Sequence, residues 1–290
     1  MQKENFFQKA TAKKLKLGKP RIGFGLVGID KEILTSLRKS KKYADIVLVG
    51  PKAITRIKGF EKIISDNPEQ KLAEMLANGE VEGIVRGTID DFKAFEAYQG
   101  LVGKNKTKDM IELALLEDAY SRQFFISEAS NPLGWTKEEK IERCKGIIKF
   151  IKEELGVKPK IGLITGVRHG TYARRKSVKK GVMGILNQTY KDAEEVVKYF
   201  KKRKIQIKNY AIELNAAVED NCNIIVPQSG MVGNQIFRAL CLIGGGKILA
   251  CSRANLPHYY EDNSRCEKDF EPHIKWLVAW INGKKIQKLK

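Results

Sequence analysis

The stretch Asn223-Ile224-Ile225-Val226-Pro227-Gln228-Ser229-Gly230-Met231-Val232-Gly233-Asn234 passes from an apolar run through a turn into a helical pattern that continues over Gln235 to Leu242. A short apolar run bounded by turn residues reads as a buried strand. A second strand is expected over Lys247 to Cys251, and the segment then runs through Pro257-His258-Tyr259-Tyr260-Glu261-Asp262-Asn263-Ser264-Arg265. Small residues, amides, hydroxyls and Arg thus gather at strand ends. In open α/β sheets ligands bind outside the carboxyl ends of strands, so an anionic ligand is expected between Pro227 and Glu271.

Upstream, the same punctuation repeats. Arg21 to Val27 reads as a strand, and Asp30 can cap a helix over Lys31 to Arg38. Asp45-Ile46-Val47-Leu48-Val49-Gly50-Pro51 reads as a buried strand with its turn. Further strands are expected at Lys62 to Ser65 and Val81 to Gly87, with helices at Glu69 to Ala77 and Asp91 to Tyr98. Gly100 to Asp109 reads as a loop, Ile111 to Leu116 as either helix or strand, and Gln123 to Ala129 as a strand followed by a turn at Asn131 to Trp135. Thr136-Lys137-Glu138-Glu139 is a capping box opening a long helix to about Leu155, with Gly156 as its stop. Lys160 to Thr165 and Gln206 to Ile212 read as strands, with helices at Tyr190 to Lys202 and Asp269 to Asn282. Strands alternating with helices predict an α/β fold, a mostly parallel sheet with helices on both faces.

The chain has 290 residues, enough for one large domain or two. Its 54 basic against 34 acidic residues leave a net charge of +20, which favours anionic partners. Five cysteines with no C-x-x-C pair indicate neither a disulfide framework nor a zinc ribbon. The Lys-rich start has no apolar core of a secretory signal, and nothing approaches the roughly 18 apolar residues of a membrane span. A cytoplasmic protein without membrane contact is expected. His169, His258 and His273 lack metal-ligand spacing, so they read as surface or hydrogen-bonded histidines and no metal is expected.

Gly23-Phe24-Gly25-Leu26-Val27-Gly28 matches G-x-G-x-x-G. A dinucleotide site also wants an acid at the end of the second strand, and that strand ends in Val49-Gly50-Pro51. Close backbone packing is the expected role of these glycines. Gly166 to Gly184 reads as a loop carrying Arg168, His169, Arg174, Arg175, Lys176, Lys179 and Lys180. It could take phosphate groups, although it lacks the G-K-[ST] ending of a P-loop. With Tyr172 but no aromatic array it makes a poor platform for RNA, so nucleic acid is not the expected partner.

Several quoted runs together resemble a known family. Phe125 to Pro132, the capped helix, Leu155 to Leu163, Glu213-Leu214-Asn215-Ala216-Ala217, Gly233-Asn234 and Glu261-Asp262-Asn263-Ser264-Arg265 are similar, in order and spacing, to phosphate acetyltransferases and butyryltransferases. The resemblance covers about residue 20 to the end. The chain more closely resembles the methyltransferase mtx subunit X family of methanogenic archaea, a branch of the same superfamily. That likeness implies a two-domain fold of the isocitrate/isopropylmalate dehydrogenase type, with residues 1–135 and 252–290 in one domain, 136–251 in the other, and the active cleft between them. It implies a transferase linked to methanogenesis. The reaction it implies is acyl transfer between coenzyme A and phosphate or a related anionic substrate, with a methyltransferase or accessory subunit as the alternative; the +20 charge motivates a second alternative, an RNA-binding protein. Coenzyme A enters as a substrate, with no tightly bound cofactor; a homodimer and a methyltransferase complex are the macromolecular partners it allows.

Carried onto this sequence, Ser264 and Arg265 bind phosphate or the developing oxyanion. Glu271, seven residues past the Ser, is the thiol base, with Asp269 as the alternative. Gly233 and Asn234 shape the cleft floor, and Arg86, Lys93, Arg168 and Glu213 complete the substrate-binding set. The chain departs from the family pattern where Lys93 replaces an expected Arg, and where Val167-Arg168-His169-Gly170 replaces a Ser/Thr-rich loop.

Overall fold

The computed structural model describes residues 5–127 and 134–288. In chain order the elements are α1 (Phe6–Thr11), β1 (Arg21–Gly25), α2 (Lys31–Ser40), β2 (Asp45–Gly50), β3 (Glu61–Ile64), α3 (Pro68–Ala77), β4 (Gly83–Val85) and α4 (Asp91–Val102). Next come β5 (Ile111–Glu117), β6 (Gln123–Ser127), α5 (Lys137–Leu155), β7 (Lys160–Leu163), α6 (His169–Arg175), α7 (Gly181–Lys201), β8 (Gln206–Asn209), α8 (Leu214–Glu219), β9 (Ile224–Val226) and α9 (Gly230–Arg238). The chain ends with β10 (Lys247–Ala254), β11 (Tyr259–Glu261) and α10 (Glu271–Lys288).

Two compact units result. A central unit takes Ile111–Ile248, and a terminal unit takes Asn5–Met110 with Leu249–Lys290. The division falls at Ile111, where the sequence had placed it near Thr136. The reason is pairing: β5 is antiparallel to β6, and β6 is parallel to β9, so both strands lie with the residues that follow. The chain re-enters the terminal unit at Leu249.

In the terminal unit the strands run β3-β2-β1-β4-β11-β10, parallel except for the last pair. Successive residues of β2 face opposite sides. Ile46 and Leu48 pack with Leu37 of α2, with Phe270 and with Leu277 of α10; Val47 and Val49 pack with α3 and α4, through Leu72, Met75 and Tyr98. Burial on both faces explains the uninterrupted apolar run of that strand. In the central unit the order is β5-β6-β9-β7-β8, parallel from β6 onward. The mostly parallel α/β architecture read from the sequence is the one observed.

The capping signals worked as written. Asp30 accepts the Glu32 and Ile33 N–H groups, Thr136 and Glu139 close their capping box, and Gly156 ends α5 in the left-handed region at φ 66°. Of the turn predicted over Asn131 to Trp135, the first three residues lie outside the described residues. Two readings need correction, and one left open between helix and strand is resolved. The supposed loop from Gly166 to Gly184 is largely helical, because α6 and the first turn of α7 occupy it. The connection between them is fastened by Asn187, whose buried amide donates to the carbonyls of Arg175 and Val178 at 2.8 and 2.9 Å. Ile111 to Leu116 is a strand, and Gly100 to Val102 continues α4.

Of the glycines in the G-x-G-x-x-G match, only Gly25 packs against backbone; Gly23 meets the Leu72 and Ile84 side chains, and Gly28 meets open space. A Cβ on Gly25 would overlap the Arg86 carbonyl oxygen, and one on Gly50 would overlap that of Leu26. Gly50→Ala is therefore expected to destabilise the protein by about 1–3 kcal/mol through overpacking. A thermal unfolding midpoint unchanged from the parent would refute that close approach.

Candidate functional site

In the terminal unit the parallel register sets Phe24, Val85 and Glu261 level with one another. Gly25, Arg86 and Asp262 therefore leave the sheet together, at the carboxyl ends of three adjacent strands. The loops that follow are stitched to each other. Thr88 N–H donates to the Gly25 carbonyl at 2.9 Å, and the Thr88 hydroxyl accepts from Val27 N–H at 2.9 Å. Asn263 accepts from Gly87 N–H at 2.8 Å and donates back to the Gly87 carbonyl at 2.9 Å. Gly87 can serve this turn because its φ is 65°, in the left-handed region that favours glycine.

Beneath these loops lies a buried charge network. Arg86, 2% exposed, ion-pairs with Asp262 through Nε and donates to the carbonyls of Ile89 (2.9 Å), Gly87 (3.2 Å) and Asn263. Arg253 ion-pairs with Asp91 and with Asp262 at 3.1 Å, and its guanidinium lies 4.2 Å from the Phe95 ring centroid. Burial opposes charge on both Arg86 and Asp262. Their mutual attraction outweighs it, raising the Arg86 pKa and, with Arg253, lowering that of Asp262. Burial and the nearby Asp262 charge push Asp91 up instead. Arg86 is thus a strut joining the β4 and β11 loops, with its guanidinium committed to the protein.

Ser264 and Arg265 stand on the open side of this assembly. Arg265 is 71% exposed and pairs with Asp90 at 3.0 Å. Asp90 also caps α4, accepting Lys93 N–H at 3.0 Å, and that bond, with Arg265 and Lys93 nearby, holds its carboxyl below the usual range. An exposed guanidinium, a half-buried hydroxyl and the N-terminus of a 12-residue helix therefore share one strand end. That combination suits an oxyanion or phosphate.

The chain then leads away. Glu267 N–H donates to the Ser264 carbonyl at 3.1 Å, Lys268 pairs with Asp30, and Phe270 N–H donates to the Ser36 hydroxyl at 3.1 Å. Glu271 pairs with Lys275 at 2.8 Å and Lys42 at 3.9 Å, while the Asp269 carboxylate accepts Glu271 N–H at 3.1 Å. The two carboxylates expected as thiol bases thus sit at the start of α10, whereas the acid touching Arg265 is Asp90. Sequence reasoning passed over Asp90, although its place before the Asp91 to Tyr98 helix is a capping signal.

The other predicted residues gather at the corresponding strand ends of the central unit. Arg168 follows β7 and pairs with Glu213, which precedes α8 after β8, at 3.4 Å. Gly233 is buried and Asn234 half-buried in α9, the helix after β9 that Ser229 caps through Val232 N–H. The three histidines are hydrogen-bonded: His258 to the Tyr98 hydroxyl at 2.9 Å, His169 to that of Tyr190 at 2.7 Å, and His273 to Glu261 at 2.9 Å. Among the described residues no cluster of three or more His, Cys, Asp or Glu side chains could hold a metal ion. No helix among them is long and apolar enough to cross a membrane.

No protein-family model matches the chain. It is similar to a protein named methyltransferase mtx subunit X from Methanosarcina barkeri, 29% identical over 263 residues, 89% of this chain and 92% of that protein. Its likeness to the protein of the same name from Methanosarcina mazei is 28% over 274 residues, 93% of each. Among solved structures it resembles a branched-chain phosphotransacylase from Enterococcus faecalis V583 (TM-score 0.63, 15% identity, 91% of this chain and 99% of that one). It also resembles a phosphotransacetylase from Streptococcus pyogenes (TM-score 0.65, 12% identity, 97% of each) and a 4-hydroxythreonine-4-phosphate dehydrogenase from Klebsiella pneumoniae (TM-score 0.59, 11% identity, 91% and 98%). These structures share its fold, and both likenesses read from the sequence, to mtx subunit X and to the phosphate acyltransferases, are borne out.

Proposed function

We propose that the protein is a transferase of the phosphate-acyltransferase kind, linked to methanogenesis, which moves an acyl group between coenzyme A and phosphate or a related anionic substrate. The observation that carries this reading is the exposed Arg265 guanidinium beside Ser264 at the end of β11, braced by Asp90 at 3.0 Å. In such a reaction the coenzyme A thiol gives its proton to a carboxylate. Its sulfur then bonds to the acyl carbon, and the carbon–oxygen bond to phosphate breaks. Arg265 holds the departing phosphate charge, Ser264 donates to the oxyanion, and Asp90 orients Arg265. Glu271 keeps the base role carried over from the resemblance, with Asp269 behind it; either must leave its present partner to act. Coenzyme A is a substrate here, not a resident cofactor.

Phosphate-dependent release of coenzyme A from acetyl-, propionyl- and butyryl-coenzyme A tests the reading. Ser264→Ala and Arg265→Lys are each expected to lower kcat by about 10²–10³-fold, the loss usual for one oxyanion donor. The Lys variant keeps the charge but loses the bidentate fork. Absence of turnover, together with no thermal stabilisation by coenzyme A or acyl phosphates, overturns the proposal.

The name of the Methanosarcina relatives supports a second reading, a methyltransferase or an accessory subunit of a methyltransferase complex. Purification from native cells separates the two: a stable methyltransferase partner favours the second, a lone homodimer the first.

A further inference from the structure

From Gly156 to Lys191 the chain has no Asp or Glu and nine Lys or Arg. Arg168 and Lys160 have acidic partners, Glu213 and Asp220, on later segments. Arg174, Arg175, Lys176, Lys179 and Lys180 are all exposed, on α6 and the turn into α7. Clustered like charges repel one another, so this corner is an electrostatic cost to the folded unit.

The corner is nonetheless firmly built. Tyr172 of α6 stacks on Tyr190 of α7 with centroids 4.0 Å apart and planes 16° from parallel, and His169 bonds the Tyr190 hydroxyl. Asn187 fastens the intervening turn, and Gly184 passes so close to the Lys179 backbone that a Cβ would overlap it. Between the cations stand exposed aliphatic side chains: Val182 at 73%, Ile185 at 61% and Val178 at 40%. Val182 and Ile185, three apart on α7, share a face.

Charge and shape select the occupant. Nucleic acid wants exposed rings on which bases stack, and here the two tyrosines are half-buried and stacked on each other. A membrane surface wants a broad apolar helix face, yet the large apolar side chains Val196, Val197 and Phe200 of α7 are buried in the unit. Exposed aliphatic side chains beside a run of exposed cations, none of them ion-paired among the described residues, match an acidic protein segment that carries aliphatic side chains. We infer that the α6–α7 corner is a docking surface for such a segment of another protein. This goes beyond the acyltransferase reading and does not depend on it. A corner already ordered loses little entropy on docking.

The test uses the full chain and a fluorescein-labelled peptide of repeated Glu-Glu-Leu-Glu-Glu-Ile, with polyglutamate of equal charge, polyuridylate and phosphatidylserine vesicles as competitors. The peptide is expected to bind more tightly than polyglutamate. Arg174→Glu with Lys180→Glu should weaken it about tenfold. Val182→Ser with Ile185→Ser should weaken the peptide about threefold and leave polyglutamate unchanged. All four positions are exposed, and thermal melts verify that the variants fold; Lys179→Ala with Lys180→Ala serves if charge reversal does not. No peptide binding, equal binding of peptide and polyglutamate with the serine pair silent, or preference for polyuridylate or vesicles overturns the inference.

Discussion

Replacing Arg86 with Met is expected to destabilise the protein by about 3–5 kcal/mol, because it strands buried Asp262 beside a single remaining cation, Arg253. The loss has two parts. The Asp262 carboxylate loses the partner that draws its proton off against the cost of burial. The carbonyls of Ile89 and Asn263 lose a donor in a site with little access to water. Arg86→Lys should also be costly, since one ammonium cannot reproduce a fork that reaches a carboxylate and three carbonyls. Pairing Arg86→Met with Asp262→Asn should restore part of the loss, because the stranded charge is then gone. Urea unfolding measures all three. A penalty below about 1 kcal/mol for Arg86→Met would mean that the network is solvated and that the strut assignment is wrong.

The second large effect lies in pH. His273 is fully buried, with Nδ1 2.9 Å from Glu261 and Nε2 3.8 Å from Glu267. Burial alone would lower its pKa, but the two carboxylates more than offset this and raise it to about 9. Glu261 in turn is pushed up by burial, and is pulled back by His273, the Cys251 N–H and the Ser252 hydroxyl. Below pH ~6.5, where an unfolded histidine is also protonated, the His273 contribution is fully present. Between that value and about 9 the folded chain keeps a proton that the unfolded chain has released, so stability falls as pH rises. At roughly 1.4 kcal/mol per unit, the fall is on the order of 3 kcal/mol. His258, lowered by burial, acts with the opposite sign below pH ~6.5 and leaves this window clear. Denaturant unfolding at a series of pH values should show the slope in the parent and a flatter one in His273→Gln. Equal slopes in the two would remove His273 as its source.

The parts legible in the sequence were those set by local chemistry. Caps at Asp30, Thr136 and Gly156 announce themselves because a helix end must satisfy its own orphan groups. The apolar run at Ile46 to Val49 announces a strand buried on both faces. Ser264 and Arg265 were singled out because a resemblance pointed to them. What stayed hidden was non-local. Arg86 and Asp262 are 176 positions apart, and nothing near Arg86 in the chain says that its charge is already spent. Tyr259–Glu261 is too short to read as a strand without its neighbour β4, and Pro257 and Asp262 around it argue for a turn. The basic segment after Gly166 looked like a loop because the buried contacts that make it helical come from Asn187 and Tyr190, further along the chain.

The discontinuous make-up of the terminal unit has a consequence for synthesis. The central unit is one unbroken stretch, Ile111–Ile248, and can fold as soon as it clears the ribosome. The terminal unit cannot. Residues 5–110 emerge early, yet β4 must wait for β11, and the face of β1 and β2 must wait for Phe270 and for Ile274 and Leu277 of α10. For most of translation Phe24, Leu48 and Val85 therefore have no complete core to enter, and the strand edge at β4 stays open. Such an edge is where a nascent chain aggregates or recruits a chaperone. A helix made late closes a half made early, so truncation before Glu271 should damage the β1–β4 half of the unit first.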